Sequence, residues 1–388
     1  MFDILRSLLG MSALAFLAGS AHASGDPKVY GVEISPGGQH YAVLRDAGAQ
    51  RAFAVYDVND AAAQPVGIGL GTIEIQDFEW GGSDHLLLKV AGEKAGIRAS
   101  AGLKTLNFAR WLSISRVSGE SKTLFGNDQG ADYYYYMPAA GFLLSALPLD
   151  DEYALFARTR VAVKPSGPTR LKEGTDELLH SVQRVNLANG DTRLVSDGAG
   201  DTIDWVVDAS GAIVARIDQN EQSRETKVLA ATGSSSFKEA GVIPGEVVEG
   251  EKIEFYGAAG ADAPLALTLL LERGGARRLA HYSLGAGTIA DAPMQPPGPL
   301  TRAVYDPREA RVRIVYYSAD RERAFHLDEA DRKSQASLEK ALPGAAIAIV
   351  SKSLDGARMI ARADYAEKGE EYYLYDKAAK RLELVAAN

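Results

Sequence analysis

The sequence contains no cysteine among its 388 residues. Disulfide bonds, thiol catalysis, thiolate metal ligands and a bacterial lipoprotein anchor are therefore excluded. The chain also has no block of lysine and arginine residues, and its formal net charge at pH 7 is −9. Because a phosphate backbone is bound by clustered positive charge, nucleic acid is not expected as a partner.

Long apolar runs are likewise scarce. One lies near the amino terminus, where Arg6 precedes "SLLGMSALAFLAG", residues 7–19, and it is too short to span a bilayer comfortably. The small residues of Ala21-His22-Ala23 are typical of a cleavage site, so residues 1–23 are predicted to be a signal peptide cut after Ala23. The mature protein is then periplasmic or secreted, without an integral membrane segment. Since Asp3 offsets Arg6, an uncleaved amino-terminal anchor is the alternative.

The composition is that of an ordinary folded protein, with 46% hydrophobic and 24% charged residues. A chain of this length usually forms two or more domains unless it is built from repeats. An exported protein without disulfide bonds depends on its core alone for stability. Repetition within the sequence decides between these two organisations.

The stretch "ISPGGQHYAVL", Ile34 to Leu44, has the pattern of a β-hairpin. Ser35 and Pro36 favour the start of a turn, and Gly37 and Gly38 can adopt the positive φ that a hairpin tip requires. The pattern returns loosely at spacings of roughly 45 to 70 residues, which is close to the length of propeller blades. The further copies are residues 78–90, 147–160, 205–217, 255–270, 304–317 and 350–363.

Each repeat continues with two more strand patterns, and in "VNLANGDTRLV" Asn189-Gly190 is a strong signal for a two-residue hairpin. Four-stranded antiparallel units arranged radially are the blades of a β-propeller. The predicted fold is therefore all-β, a β-propeller of seven four-stranded blades over residues 24–388. The strand near Val29 to Ile34 is a candidate to complete the final blade. A β-sandwich array and a solenoid are the alternatives, although solenoid repeats are normally shorter.

One segment departs from the strand pattern. In "DEADRKSQASLEKALPG", residues 328–344, apolar residues recur at helical spacing. Asp328 is suited to cap the amino terminus of a helix, and Pro343-Gly344 is a stop signal. A helix of about three turns over residues 328–342 is therefore predicted before the last blade.

The sequence contains no recognisable catalytic motif. The nucleophile motif G-x-S-x-G is absent, and the near match "GSSSF" at Gly233 is typical of a hairpin loop. No helix pattern follows the G-x-G spacing of Gly67 to Gly71, so this stretch is expected to be a loop between blades and not a phosphate cradle. The histidines are scattered without metal-ligand spacing. We therefore expect no catalytic residue, no metal site and no cofactor.

Other polar residues fall at repeat positions. His40 and His85 occupy equivalent places just after the first turns of their blades. The carboxylate pairs Asp150-Asp151 and Glu370-Glu371 fall at predicted hairpin tips. Solvated turns explain these pairs better than catalysis does.

The most unusual local feature is "DYYYYMP", residues 132–138. Because side chains alternate along a strand, Tyr133, Tyr134, Tyr135 and Tyr136 would place two rings on each face. They are candidates for contact with a peptide. A central strand that packs between neighbouring blades would also need large groups on both faces, and this interpretation is preferred.

Several of these stretches resemble a known family. "ISPGGQHYAVL", "FEWGGSDHLLL", "RVNLANGDTRLV", "LEKALPG" and the segment ending in "YYLYDKAAKRLELV" are similar to the propeller of bacterial serine peptidases of the prolyl oligopeptidase type, in the dipeptidyl aminopeptidase and acylaminoacyl peptidase branch. In that family an α/β-hydrolase domain with a Ser, Asp and His triad follows a propeller that restricts entry to short peptides. The resemblance covers essentially the whole mature chain, but no position here matches a member of the triad.

The resemblance implies a non-catalytic propeller that gates substrates for a hydrolase domain missing from these residues. Its partners would be that hydrolase domain and short peptides. The alternative is an autonomous exported propeller that binds a peptide, a glycan or a protein, because propellers host many functions. A face that receives a hydrolase would be apolar and uncovered in isolation, whereas a self-standing propeller would be a soluble monomer.

Overall fold

A computed structural model describes residues 27–60, 63–71, 73–99, 102–125, 141–164, 175–233, 235–244, 251–260 and 266–388. Within these ranges the chain forms 27 β-strands, arranged in seven antiparallel sheets, and one α-helix. The predicted signal peptide and the tyrosines at 133–136 lie outside the described ranges, so both stay predictions.

The chain divides into two compact units. The first comprises residues 1–124, 187–189 and 334–388, and the second comprises residues 125–186 and 190–333. The sheets are numbered here as blades 1 to 7 in chain order, and the strands of every blade are hydrogen-bonded in sequence order.

The first unit contains blades 1, 2 and 7. Their strands are β1–β4 (Val29–Ile34, His40–Ala47, Gln50–Asp57, Val66–Gly71), β5–β8 (Glu74–Gly81, His85–Ala99, Gly102–Ser115, Ser121–Thr123) and β24–β27 (Ala346–Lys352, Arg358–Tyr365, Gly369–Asp376, Arg381–Ala387).

The second unit contains blades 3 to 6. Their strands are β9–β12 (Phe142–Ser145, Tyr153–Lys164, Thr175–Asn186, Thr192–Ser196), β13–β16 (Thr202–Val207, Ile213–Gln219, Thr226–Gly233, Ser236–Ile243), β17–β20 (Glu251–Ala258, Ala266–Arg273, Ala276–Ser283, Thr288–Asp291) and β21–β23 (Leu300–Asp306, Arg311–Ser318, Glu322–His326).

The seven sheets are the blades of a β-propeller, which confirms the predicted fold. Each of the seven predicted hairpins is formed by the first two strands of a blade. The expected turn chemistry is present, since Gly38 has a φ of 73° and Gly190 a φ of 76°. Six blades have four strands and blade 6 has three.

The first and last blades do not share a strand. Strand β1 pairs with β2 in blade 1, and blade 7 draws all four of its strands from the carboxyl-terminal segment. The expectation that the strand near Val29 to Ile34 completes the final blade is therefore wrong. The sequence pattern of a strand does not identify its partner, which is set by contacts distant along the chain.

The cores lie between neighbouring blades. In the first unit, Leu44 and Phe53 of blade 1 pack in one cluster with Trp80 and Leu88 of blade 2. The indole Nε1 of Trp80 donates a hydrogen bond to the carbonyl of Glu33 at 3.2 Å, so the largest buried side chain also satisfies its polar atom. Alternation along the strands places these apolar residues on facing sides of the two sheets.

After β23 the chain enters helix α1, Glu329–Ala341, in place of a fourth strand of blade 6. The helix predicted at 328–342 is thus confirmed. Asp328 Oδ1 accepts a hydrogen bond from the N–H of Ala330 at 2.8 Å, and acidic residues in the first turn complement the helix dipole. Leu338 is buried in the core of blade 7, so one face of the helix is covered.

A buried ion network joins blade 6 to the first turn of α1. Arg313 Nε donates to Asp306 Oδ2 at 2.9 Å, Arg308 Nε lies 3.8 Å from Asp306 Oδ1, and Arg313 Nη1 lies 3.7 Å from Asp331 Oδ2. Burial alone would raise the pKa of Asp306, but the charges of Arg308 and Arg313 hold it below its ordinary value. The network therefore keeps its charges paired in the interior.

Candidate functional site

The first and last blades are joined where the first residue of β1 meets Asn388. The side chain of Asn388 accepts a hydrogen bond from the N–H of Val29 at 2.6 Å and donates one to the carbonyl of Val29 at 3.0 Å. Its own backbone N–H donates to the carbonyl of Glu370 at 2.8 Å. One side chain thus satisfies both backbone groups of the first residue of β1.

Glu370 reinforces the same contact. Its Oε2 lies 3.3 Å from Asn388 Nδ2 and 3.4 Å from the Tyr372 hydroxyl, and its Oε1 lies 3.5 Å from Arg362 Nη1. The residue lies within β26, and the prediction that places it at a hairpin tip is wrong. Asp150, in contrast, lies in the turn between β9 and β10 as predicted.

Further hydrogen bonds join the two blades at the opposite ends of their strands. The N–H of Ile34 donates to the hydroxyl oxygen of Ser351 at 3.0 Å. Arg358 Nη1 donates to the carbonyl of Gly38 at 2.8 Å. Side chains therefore hold blades 1 and 7 together at both ends, in the absence of a shared strand.

A cavity of about 350 Å³ lies beside this contact. Its walls come from β1, from the first strand of blade 2 and from blade 7. Aromatic, polar and charged residues contribute to its lining, among them Tyr30, Phe78, Tyr372, Gln76, Asp77 and Arg362. The accessible surface of this cavity is mainly polar, which suits a polar or charged solute better than an apolar one.

A β-bulge directs Asp77 toward this cavity. The register between β5 and β6 shifts between Ile75 and Asp77, so Gln76 is the extra residue. Bulges change the direction in which neighbouring side chains point and are frequent beside functional sites. Asp77 is opposite Lys89 in register, but no ion pair within 4.0 Å joins Asp77 to any part of the chain that the structure describes.

The carboxylate of Asp77 is poorly stabilised where it lies. The N–H of Phe78 donates to its Oδ1 at 2.9 Å. Protein atoms surround the group on most sides and raise the pKa of Asp77, which the Phe78 N–H and the charge of Lys89 only partly offset. Solvent nevertheless reaches the side chain through the cavity, because Asp77 is exposed. The cavity therefore presents a negative charge that a solute can reach.

A second cavity, of about 670 Å³, shares Tyr30 and Ile75 with the first. The turn between β2 and β3 and the connection between β4 and β5 form its other walls. The guanidinium of Arg51 lies 4.3 Å from the centroid of the Tyr30 ring, and the ammonium of Lys28 lies 5.0 Å from it. Tyr30 is thus held by cation–π contacts as a wall between the two cavities.

Asp204 repeats the arrangement of Asp77 in the second unit. The register between β13 and β14 shifts immediately before Asp204, and its Oδ1 accepts a hydrogen bond from the N–H of Trp205 at 2.7 Å. Burial raises the pKa of Asp204 to about 6. Burial, followed by the charges of Asp204 and Asp306, raises the pKa of the Tyr305 hydroxyl as well. Asp204 is therefore a carboxylate that titrates close to neutral pH.

The remaining sequence-based site predictions have separate outcomes. His40 and His85 begin β2 and β6, at equivalent positions after the first turns of their blades. Burial, and then the Arg116 guanidinium, lower the pKa of His40, so its imidazole is neutral near pH 7. Gly67 to Gly71, expected to be a loop, form most of strand β4. The tyrosines at 133–136 lie outside the described residues, so a peptide contact there stays a prediction.

Within the described ranges, no group of three or more histidine, aspartate or glutamate side chains is placed to hold a metal ion. No described helix is long and apolar enough to cross a membrane.

Sequence reasoning missed Asp77 and Asp204. The available signal was an aspartate directly before an aromatic residue in the first strand of a blade, as in "QDFEW" and "IDWVV". The bulge that precedes each aspartate depends on pairing with the next strand, and the sequence alone does not reveal it.

Comparison with solved structures finds similarity to three peptidases. A prolyl endopeptidase matches over 93% of this chain and 50% of its own length, with 13% sequence identity and a TM-score of 0.51. Porphyromonas gingivalis dipeptidyl peptidase 4 matches over 92% and 59%, with 11% identity and a TM-score of 0.43. A puromycin-hydrolyzing peptidase of Mycobacterium tuberculosis matches over 93% and 53%, with 12% identity and a TM-score of 0.47.

No protein-family model matches the sequence. No curated protein matches it either. The chain spans about half the length of the prolyl endopeptidase to which it is similar. The resemblance read from the sequence is thus confirmed at the level of the fold: the protein has the seven-bladed β-propeller fold that is found within a prolyl endopeptidase.

Proposed function

We propose that this chain is the non-catalytic, substrate-gating propeller of a serine peptidase of the prolyl oligopeptidase type. The observation that carries the proposal is the unequal coverage, since almost the whole chain matches only half of a prolyl endopeptidase. The absence of G-x-S-x-G from the 388 residues supports a nucleophile supplied from elsewhere, either by a further domain or by a separate chain.

The first and last strands of the propeller lie close together. Val29 and Asn388 are hydrogen-bonded to each other, so the two ends of the propeller lie together at one edge of blades 1 and 7. The turn between β2 and β3 is at this edge too, because Val29 pairs with Arg45 near the end of β2. The larger cavity, which that turn lines, is therefore at the same edge, and we propose this edge as the one that faces the hydrolase domain.

The second candidate is an autonomous exported propeller that binds a small ligand or a peptide. The specific observation in its favour is that blades 1, 2 and 7 of this chain form both cavities by themselves. A gating propeller acts only with a hydrolase, whereas a binding module acts alone.

The coding DNA on both sides of this chain, read in all frames, separates the two candidates. The gating proposal expects a G-x-S-x-G hydrolase that co-purifies with this chain or continues it. Such a hydrolase should cleave short peptides with or without the propeller, and the propeller should suppress its cleavage of long peptides about tenfold or more. A neighbouring hydrolase that neither binds the chain nor changes its length preference would contradict the proposal and favour the binding module.

A further inference from the structure

We propose that the 350 Å³ cavity between blades 1, 2 and 7 binds a compact organic cation, with an ammonium group against the carboxylate of Asp77. The inference rests on this chain alone and does not require a hydrolase. It assigns a ligand class to a cavity that the gating role does not explain.

Asp77 places a carboxylate in the lining of the cavity. Its carboxylate accepts one backbone hydrogen bond, from Phe78, and makes no ion pair among the described residues. An ionised carboxylate is stabilised by an opposite charge within about 4–6 Å. Lys89 is opposite Asp77 in register but does not come within 4.0 Å of it. A bound ammonium group would supply the missing charge.

The other charged residues that line the cavity do not oppose the binding of a cation. Arg362 is the cation among the lining residues, and its guanidinium lies 3.5 Å from the carboxylate of Glu370. Its charge is therefore already balanced within blade 7. Glu33 on β1 also lines the cavity. The charged residues of the lining, Glu33, Asp77 and Arg362, therefore carry no excess positive charge that would repel a cation.

Aromatic rings line part of the cavity and can attract a cation. Tyr30, Phe78 and Tyr372 contribute rings to the lining, and the faces of aromatic rings attract cations. Gly31 lies directly against Phe78, because a Cβ on Gly31 would come within 2.9 Å of the Phe78 ring. The Tyr30 ring already contacts Arg51 and Lys28, so Phe78 and Tyr372 are the rings left for a bound cation.

The size of the cavity restricts the ligand. A volume of about 350 Å³ is at the lower end of the range for small-molecule sites. It accommodates one alkylammonium group with a short chain, and it is too small for a folded partner. The ammonium group could belong to a free diamine, to a lysine side chain or to the amino-terminal residue of a peptide, since all three share this chemistry.

The test is calorimetric titration of the full chain with four probes: cadaverine, N-acetyl-lysine amide, trialanine amide with a free amino terminus, and 1-pentanol as the uncharged control. At least one ammonium probe should bind, and 1-pentanol should not. The probe that binds most tightly identifies the source of the ammonium group. Absence of binding by every amine, or equal binding of 1-pentanol, would overturn the proposal.

The variant Asp77→Asn removes the charge but keeps an oxygen that can accept the Phe78 hydrogen bond, so it should fold normally. It should weaken binding of the preferred amine about tenfold or more. Glu120→Gln is the matched control, because it removes one carboxylate charge from an exposed turn of blade 2. That variant should bind the amine within about twofold of the unmodified chain. Equal affinity of the Asp77→Asn variant and the unmodified chain would refute the assignment of the site.

Discussion

Replacing Asp204 by asparagine should stabilise the protein at neutral pH. The carboxylate of Asp204 is half-buried, and burial raises its pKa from 3.8 to about 6. Asparagine is uncharged and can still accept the hydrogen bond that Trp205 N–H donates at 2.7 Å. The substitution therefore removes the poorly solvated charge and leaves the local geometry in place.

Proton linkage determines whether the free energy of unfolding rises or falls with pH. Because the folded state holds its proton more tightly than the unfolded state, stability is greatest below pH 3.8, falls as the pH rises to 6 and is then constant. Each pKa unit is worth about 1.4 kcal/mol, so the ionised carboxylate costs about 3 kcal/mol above pH 6. Water reaches the half-buried side chain and reduces this energetic cost. We therefore expect Asp204→Asn to raise the free energy of unfolding by about 2 kcal/mol above pH 6.

The assay is urea unfolding at pH 4, 5, 6, 7 and 8. The variant and the unmodified chain should differ little at pH 4, and the advantage of the variant should grow to about 2 kcal/mol at pH 7. The control is Asp201→Asn, which removes an exposed carboxylate three residues earlier and should change stability by less than about 0.5 kcal/mol throughout. A difference that does not vary with pH, or a variant that is less stable at pH 8, would refute the reasoning.

Three further substitutions test the packing, each by urea unfolding. Asn388→Ala removes both hydrogen bonds to Val29 and should lower the free energy of unfolding by about 1–3 kcal/mol; an unchanged value would mean that the chain ends do not join blades 1 and 7. Asp306→Ala leaves the buried guanidinium of Arg313 without its 2.9 Å partner and should cost about 3–5 kcal/mol, whereas a loss below about 1 kcal/mol would contradict the buried network. Gly257→Ala should cost about 2 kcal/mol, because φ is 100° there and a Cβ would lie 2.6 Å from a backbone oxygen; a neutral effect would show that the backbone can move.

The fold was largely predictable because its signals are local. The turn residues near Gly38 and the Asn189-Gly190 pair determine hairpins within a few residues of themselves, and their recurrence indicated seven blades. Helix α1 was predictable for the same reason, since Asp328 and the spacing of apolar residues lie within one short segment. The sequence did not predict that this helix replaces the fourth strand of blade 6, because the number of strands in a blade depends on which segments pair.

The candidate site was not predictable from the sequence. Its walls bring together β1, β5 and blade 7, and the contact between Val29 and Asn388, which joins the same two outer blades, spans 359 residues. The direction of Asp77 depends on a bulge, and the role of Glu370 depends on three groups that the fold brings to it. Local patterns indicate where strands begin and end, but they do not show which side chains meet across blades.

Fluorophosphonate labelling of the protein as purified from its source tests whether the propeller itself carries the nucleophile of a peptidase. Any labelled peptide is then identified by mass spectrometry. We expect a labelled serine in a hydrolase that lies outside these 388 residues and remains bound to or continuous with them. A stoichiometrically labelled serine within residues 24–388 would contradict this expectation.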